Sequence, residues 1–391
     1  MGNRWFIRPS PLPDETLSSW LVRLAYARKI KLQNLYFELV GRGFNVSQRD
    51  IDLYPPPLLI EKLLEPSGFK QEDIMALTFS SYESYLFEHV SRGPRRWIMT
   101  LGLRTSRTDQ PGLSFCPRCL AEDPVPYFRK QWRLAFITAC QKHRCLLLDQ
   151  CPHCHSKVYI HRWDKGNYDF WIKNPITHCY YCRKPLTVTQ PLPSPDHAQL
   201  RFEAWLIHAL HEGGCTFSAK PIDGFLFFEG LDMLAKVLLQ RRKSDRLHTL
   251  LHNHGFLRQA IQINTTHRRF ETLPLSIRHD VLRALCWLLS DWPDRFLNLC
   301  KEAQFSSSYL FDQCNKKGVR RIPFWLWEPV YINNHRKYYA PSPVEIANAA
   351  KFLSAKNSLT KSKLSLALGI SWINNPTKDK YSYLFNNHST H

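Results

Sequence analysis

Residues 116–182 decide the fold, because they contain four short segments: Cys116-Pro-Arg-Cys119, Cys140-Gln-Lys-His143, Cys151-Pro-His-Cys154 and Cys179-Tyr-Tyr-Cys182. Two residues separate the members of each pair, which lets both side chains point at one metal ion. Chance rarely produces four such pairs in so short a stretch. The segments therefore predict two closed, structural zinc sites with four ligands each.

The chain order pairs the segments into two frames, 116–143 and 151–182. A cross-paired arrangement stays open, as does substitution by another histidine of the region, namely His153, His155 or His178. Five further cysteines have no partner at ligand spacing and are predicted to be small buried apolar side chains. They are Cys145, Cys215, Cys286, Cys300 and Cys314.

The composition of the chain limits the classes of protein to which it can belong. The chain has 391 residues, 44% of them hydrophobic, which is enough for two or three folded domains. Its net charge of +20 favours nucleic acid or another polyanion as a partner. We expect a cytoplasmic protein without a membrane segment, because the sequence has neither a signal-peptide pattern nor a run of 18 apolar residues. The 12 cysteines then need an explanation other than disulfides.

Helical patterns flank the cysteine-rich region on both sides. At the start, Leu17, Trp20, Leu21, Leu24 and Ala25 form one apolar stripe, with Asp14 and Glu15 at its amino-terminal end. A second short helix is expected at 32–39, with Gly41 as its stop. Together they form a helix-turn-helix candidate, although any small helical bundle would fit as well.

The carboxyl-terminal half is also predicted to be helical. Helices are expected at 202–210, 231–239 and 281–289, with Gly213-Gly214 ending the first. The tail predicts two more, at 344–353 and 361–370, with Thr360 and Gly369 as caps. This pair is a second helix-turn-helix candidate.

These patterns give a mainly α fold with small β content. The predicted order is a helix-turn-helix-like amino-terminal domain, a tandem zinc-ribbon-like region and a carboxyl-terminal helical domain. The predicted boundaries are 1–110 for the amino-terminal domain, 111–190 for the zinc-binding region and 191–340 for the helical domain. Residues 341–391 form a helical tail, which holds the second helix-turn-helix candidate, and prolines at 191–195 form a linker.

Basic side chains cluster in three places that suit phosphate or an acidic partner. An acid-free run at 92–107 has an aromatic, Trp97, suited to base or sugar packing. A second group lies in the spacer between Cys119 and Cys140, where Arg129 and Arg133 are expected to project from an aromatic core. The third lies in the basic stretch 236–270. The candidate contacts are Arg92, Arg95, Arg96, Arg104, Arg107, Arg129, Arg133, Arg241, Arg242 and Lys243.

No catalytic constellation is recognisable. The chain contains no His-x-Glu, no His-Glu-x-x-His and no Gly-Lys dipeptide, which argues against a zinc deaminase, a zincin and a Walker-type ATPase. We therefore expect a binding protein, not an enzyme.

Three stretches resemble the TniQ/TnsD family of transposon target selectors. The first is Pro11-Leu-Pro-Asp-Glu-Thr-Leu-Ser-Ser-Trp20. The second runs from Phe115-Cys-Pro-x-Cys119 through Pro126-Tyr-Phe-Arg129 and Trp132-Arg-Leu134 to Cys151-Pro-x-Cys154. The third is Asp291-Trp-Pro-x-x-Phe296. These separate stretches lie within roughly residues 8–296.

The resemblance implies an adaptor that links a targeting module to an AAA+ transposition regulator of the TnsC type. Some members recognise attachment-site DNA directly. Others bind a CRISPR RNA-guided Cascade complex, often as a homodimer. The length favours the guided kind, and the +20 charge with the tail helices favours the DNA-reading kind. The alternatives are a stand-alone zinc-containing transcription regulator and, less favoured, a zinc-dependent nuclease.

Overall fold

The computed structural model describes residues 4–42, 49–89, 95–101, 113–162, 176–188, 192–239, 241–257, 269–304, 322–332 and 341–368. Its helices, in chain order, are α1 (Leu17–Ala27), α2 (Leu32–Val40), α3 (Pro57–Ser67), α4 (Gln71–Ala76), α5 (Pro117–Glu122), α6 (His197–His211), α7 (Gly224–Leu239), α8 (Arg241–Asn253), α9 (Leu275–Leu289), α10 (Asp294–Glu302), α11 (Phe324–Ile332), α12 (Pro343–Ala355) and α13 (Lys361–Leu368).

The described residues also contain two small antiparallel hairpins. Strand β1 (Ala139–Cys140) pairs with β2 (Cys145–Leu146), and β3 (Gly214–Phe217) pairs with β4 (Lys220–Asp223). The expected mainly α fold with small β content is confirmed. None of the helices in these residues is long and apolar enough to cross a bilayer.

The chain divides into two compact units. The first contains Met1–Glu83, His89–Ala204 and Arg269–His279, and the second contains Ser84–Glu88, Trp205–Arg268 and Asp280–His391. The four-part division drawn from the sequence stays a prediction.

Helix α1 starts where the sequence predicts. Its predicted apolar stripe is buried in the first unit. Thr16 is the N-cap, and its side chain accepts a hydrogen bond from the Ser19 backbone N–H. The carboxylate of Glu15 accepts hydrogen bonds from Leu12 N at 3.0 Å, Ser19 Oγ at 3.0 Å and Arg23 Nη1 at 2.6 Å. Gly41 ends α2 with a φ of 76°. Glu15 thus links the residues that precede α1 to the helix through hydrogen bonds, in addition to its favourable position at the amino-terminal end of the helix dipole.

Residues 14–19, at the start of α1, also form hydrogen bonds with a segment more than 100 positions later in the chain. Thr16 N donates to Phe128 O at 3.1 Å, and Phe128 N donates to Ser19 Oγ at 2.9 Å. Lys130 N donates to Asp14 O at 2.6 Å, and Gln131 N donates to the Asp14 carboxylate at 3.1 Å. Two of the three family-like stretches therefore hydrogen-bond to each other, and we call these contacts between residues 14–19 and 128–131 the seam.

The second unit is organised around its hairpin and α7. Gly213, with a φ of 69°, follows α6 as predicted, and β3 begins one residue later. Asp223 then caps α7 by accepting a hydrogen bond from Leu226 N at 3.2 Å. The sequence patterns did not predict this hairpin, because four-residue strands show too little alternation to separate them from a turn.

The third family-like stretch is a packing motif of the second unit. The ring of Trp292 stacks on Phe296, with centroids 5.3 Å apart, and meets Trp325 edge-on at 5.3 Å. Phe217 of β3 lies 5.3 Å from the same Trp325 ring. These aromatics stabilise the unit by burial, with edge-to-face geometry that suits their quadrupoles.

The two tail helices form where they were expected. Ser342 and Glu345 make a capping box at the start of α12. Thr360 caps α13, because its Oγ1 accepts from Lys363 N at 3.1 Å. Gly369, the predicted cap at the other end, lies outside the described residues. Whether either helix pair reads DNA stays a prediction.

Candidate metal centres and basic surfaces

Cys116, Cys119, Cys140 and His143 form the first cluster, which we call the first centre. The His143 Nδ1 atom lies 3.3 Å from Cys116 Sγ, 3.3 Å from Cys119 Sγ and 3.6 Å from Cys140 Sγ. A tetrahedral zinc site requires about 3.6 Å between sulfur and nitrogen and about 3.8 Å between sulfurs. The Cys119 and Cys140 sulfurs are 3.6 Å apart. The four atoms therefore fit one tetrahedral metal ion.

A carboxylate orients the histidine of this centre. Glu122 Oε2 lies 2.7 Å from His143 Nε2, which leaves Nδ1 as the ligand atom. The hydrogen bond to His143, with the nearby Lys142 ammonium, holds the pKa of Glu122 below its ordinary value. A carboxylate behind a metal-binding imidazole fixes both its tautomer and its direction.

Secondary structure positions the ligands of the first centre. Cys116 is the N-cap of α5, so the helix begins at a ligand and its first turn carries Cys119. Cys140 ends β1, and Cys145 of β2 is its cross-strand partner. All four ligand side chains are buried or nearly so. The site is thus part of the core of the first unit.

A buried carboxylate holds β1 in place beside the first centre. Glu203 accepts hydrogen bonds from the backbone N–H groups of Thr138 and Ala139, both at 3.0 Å, and from Gln199 Nε2 at 3.1 Å. The Thr138 hydroxyl also hydrogen-bonds to Glu203. Burial raises the pKa of Glu203 to about 7, although these hydrogen bonds act in the opposite direction.

Cys145 has a partner that the sequence spacing did not predict. Its Sγ lies 4.0 Å from Cys116 Sγ, so the thiol can donate a weak hydrogen bond to this ligand. The side chain is buried, as expected. It lies beside the first centre because β2 pairs Cys145 with Cys140, a contact that needs the hairpin register.

Cys151, Cys154, Cys179 and Cys182 form the second cluster, called the second centre. The sulfurs of Cys151 and Cys182 are 3.6 Å apart, and those of Cys154 and Cys179 are 3.8 Å apart. These distances also match a tetrahedral tetrathiolate site. The pairing is the one given by chain order. His153, His155 and His178 are not among the four residues of this cluster.

The second centre consists of two similar turns. Cys151 N donates to Ser156 O and His155 N donates to Cys151 O, at 2.8 and 3.0 Å. In the same way, Cys179 N donates to Lys184 O and Arg183 N donates to Cys179 O, both at 2.9 Å. The residue after the second cysteine has a positive φ in both turns, 56° at His155 and 62° at Arg183. The two turns thus repeat one knuckle geometry.

Together the two centres could hold two metal ions per chain. Each offers four protein ligands, which is the ligand count of closed structural sites, not of catalytic sites with an open position.

Arg133 corrects one expectation about the basic surface. It does not project from the spacer but is 1% exposed. Its guanidinium lies 2.6 Å from Asp50 Oδ2 and 2.6 Å from Asp52 Oδ2, and also donates to Met99 O. The interpretation of Arg133 as a phosphate contact is therefore wrong. Two buried aspartates at 50 and 52, distant in sequence, hold it inside the first unit, and no spacing in the sequence pointed to them.

Arg129 and Trp97 are also more enclosed than expected. Arg129 pairs with Asp123 at 2.6 Å, with both side chains about one-tenth exposed. Its guanidinium lies over the rings of Tyr127 and Trp132, at 4.3 and 4.8 Å. The Trp97 ring is buried against Phe136 and Phe270, so the expectation that it packs on a base is wrong.

The structure describes the remaining candidate contact residues to different extents. Arg95 and Arg96 are half-buried, and the Arg95 guanidinium lies 5.5 Å from the centre of the Tyr54 ring. Arg92, Arg104 and Arg107 lie outside the described residues, and only the backbone is described at Arg241, Arg242 and Lys243. A partner contact by these residues stays a prediction.

Comparison with known families places the amino-terminal part of the chain. Residues 6–147 match the family model TniQ. This range covers the first centre and both halves of the hydrogen-bonded seam, and it ends before the second centre. A search of curated proteins gave no match.

Proposed function

Because its amino-terminal part is a TniQ domain, this chain is a protein of the TniQ/TnsD family, and we propose that it is an adaptor linking a targeting module to an AAA+ transposition regulator. The TniQ match over residues 6–147 carries the proposal and supports a general role in transposition target selection. The family consists of non-catalytic adaptors, which is consistent with a chain that is not an enzyme.

We propose zinc as the metal of both centres. The donor sets, three thiolates with one imidazole and four thiolates, are those of structural zinc sites. When bound, zinc supplies crosslinks between segments distant in sequence and no reaction chemistry. Cys116, Cys119, Cys140 and His143 would hold one ion, and Cys151, Cys154, Cys179 and Cys182 the other. Metal analysis of the purified chain should give two zinc ions per chain.

We propose a polyanion as the targeting module, either a Cascade ribonucleoprotein or attachment-site DNA. The support is the net charge of +20, which favours association with phosphate backbones. The stand-alone transcription regulator shares this charge, so the AAA+ regulator is the partner that separates the two functions. A zinc-dependent nuclease is less favoured, because both centres already have four protein ligands.

Binding assays with the purified full chain test the proposal. The immobilised chain is offered the AAA+ regulator with ATP, the guide-loaded Cascade complex, and duplex DNA that carries the attachment site. Retention of the regulator together with Cascade supports the guided adaptor, and retention of the regulator together with DNA supports direct targeting. Binding to DNA without the regulator would favour the transcription regulator. Cleavage of DNA by the chain alone would contradict the adaptor.

A further inference from the structure

The tip of the second centre presents an aromatic ring to solvent. Tyr181 lies between the ligands Cys179 and Cys182 and is 72% exposed. Among the large apolar side chains described, only Phe6 is more exposed. The neighbouring ring of Tyr180 is 6.4 Å away and lies 6.1 Å from Tyr159. An exposed aromatic ring that is not part of the core leaves apolar surface available for contact with a partner.

The backbone beneath this ring is held firmly. Arg183 N donates to Cys179 O, and Cys179 N donates to Lys184 O, so two hydrogen bonds close the turn around Tyr181. The two flanking cysteines belong to the metal cluster. A side chain on a fixed turn loses little backbone entropy when it binds, which favours its use as a contact.

Basic residues follow the ring in the chain. The residues of this region whose side chains the structure describes, 151–161 and 176–188, include Lys157, Arg183 and Lys184 and contain no aspartate or glutamate. Arg183 and Lys184 are exposed and follow Tyr181 directly. A tetrathiolate zinc centre would carry a charge of about −2, so these three basic side chains would leave a positive surplus among the described residues. The first centre differs, because Glu122 and Asp123 lie beside its basic side chains.

We propose that this tip, defined by Tyr181, Arg183 and Lys184, binds single-stranded nucleic acid. Tyr181 would stack on an unpaired base, while Arg183 and Lys184 would contact the flanking phosphates. Stacking requires a base face that a duplex hides, so an exposed ring beside cations suits single strands. The inference rests on the exposure and charge of this tip and is independent of which targeting module the chain uses.

Fluorescence anisotropy of the full chain tests the proposal. The labelled probes are a 12-nucleotide uridine oligomer and a blunt 12-base-pair DNA duplex, titrated at several salt concentrations. Tyr181→Ala should weaken binding of the oligomer about tenfold, whereas Tyr181→Phe, which keeps the ring, should bind like the wild type. The double variant Arg183→Gln/Lys184→Gln should lower the slope of log affinity against log salt by about 1.4, for two phosphates on a single strand.

Three results would overturn the proposal. One is binding of the oligomer by Tyr181→Ala within twofold of the wild type. Another is an unchanged salt slope in the double variant, and the third is a Tyr181→Ala effect as large on the duplex as on the oligomer. Zinc content and circular dichroism of each variant check that it folds. Capture of the AAA+ regulator is measured in parallel, since the adaptor proposal survives if capture persists while Tyr181 proves neutral.

Discussion

The two metal centres use similar cysteine spacings but differ in how they are built into the molecule. The first has four buried candidate ligands, with Cys116 as the N-cap of α5 and Cys140 at the end of strand β1. The second has two short turns whose Cys154 and Cys182 remain partly exposed. Similar spacings therefore give one centre that is part of a core and one that presents a surface. What a metal centre contributes to the molecule therefore depends on the structure around it.

The largest expected effect comes from removing one ligand of each centre. Cys119→Ser should prevent the first unit from folding, because a structural zinc site contributes about 10–16 kcal/mol, comparable to a domain's whole stability. Cys182→Ser should lose one zinc and leave the first unit folded, because that site is anchored by local turns. Zinc content and limited proteolysis measure both.

Cys145→Ser is the matched control for this comparison. It removes a buried thiol beside the first centre that is not one of the four ligands, so we expect two bound zinc ions. Equal loss of fold in Cys119→Ser and Cys182→Ser would contradict the distinction between core and surface.

Breaking the ion network of the first unit should have the next largest effect. Arg133→Met leaves Asp50 and Asp52 buried without their cation, which costs about 3–5 kcal/mol. The difference is measured as the free energy of unfolding in urea. Arg118→Met is the control, because Arg118 is 53% exposed and its pair with Glu122 is worth less than about 1 kcal/mol. Similar losses in the two variants would disprove a special role for the buried network.

Glu203 gives the first unit a pH dependence. Burial raises its folded-state pKa from 4.5 to about 7, so the folded chain keeps a proton that the unfolded chain releases between these values. This contribution to stability is fully present below pH 4.5 and is lost as the pH rises through 7. Glu203→Gln cannot titrate and also loses an acceptor for backbone N–H groups, at a cost of about 1–3 kcal/mol.

We therefore expect Glu203→Gln to be less stable than the wild type at pH 5.5, with a gap that narrows toward pH 8. Unfolding at a fixed free zinc concentration measures the gap, and the exposed Glu212→Gln serves as control. A gap that stays constant from pH 5.5 to pH 8 would contradict the prediction, because it would show that the carboxylate is already charged in the folded state over this range.

The smallest expected effect concerns the carboxylate behind His143. Glu122→Ala removes the acceptor at 2.7 Å from His143 Nε2 and should weaken zinc binding at the first centre about 10–100-fold. Competition with a chelator measures the affinity, and the second centre in the same chain is the internal reference. The exposed Glu61→Ala should change neither centre. An equal loss at both centres would point to a general destabilisation instead.

The sequence was sufficient to predict which residues form the two clusters and to predict most helices. Cysteine pairs at a two-residue spacing are local patterns, and the structure brings the same four residues together in each centre. The apolar stripe of α1 and the stops at Gly41 and Gly213 are local as well. Such features depend on neighbours within a few residues, so a single sequence contains them.

The sequence was insufficient where the partner is distant. Arg133 resembles a surface arginine until Asp50 and Asp52 are known to surround it. Cys145 meets Cys116 only through the register of β1 and β2, and Trp97 is buried by Phe270, which lies 173 positions later in the chain. For Tyr181, the spacing of Cys179 and Cys182 predicted a pair of metal ligands, but nothing in the sequence indicated that the ring between them is exposed.

The seam between residues 14–19 and 128–131 constrains how relatives of this protein can be recombined. Each side supplies backbone groups that hydrogen-bond to the other side, and Asp14 and Ser19 add side-chain partners. A chimaera that inherits its cysteine-rich portion from one parent and its opening residues from another would have to match both edges at once. Natural exchange between lineages should therefore transfer the two edges together, with crossovers falling outside the interval that they enclose.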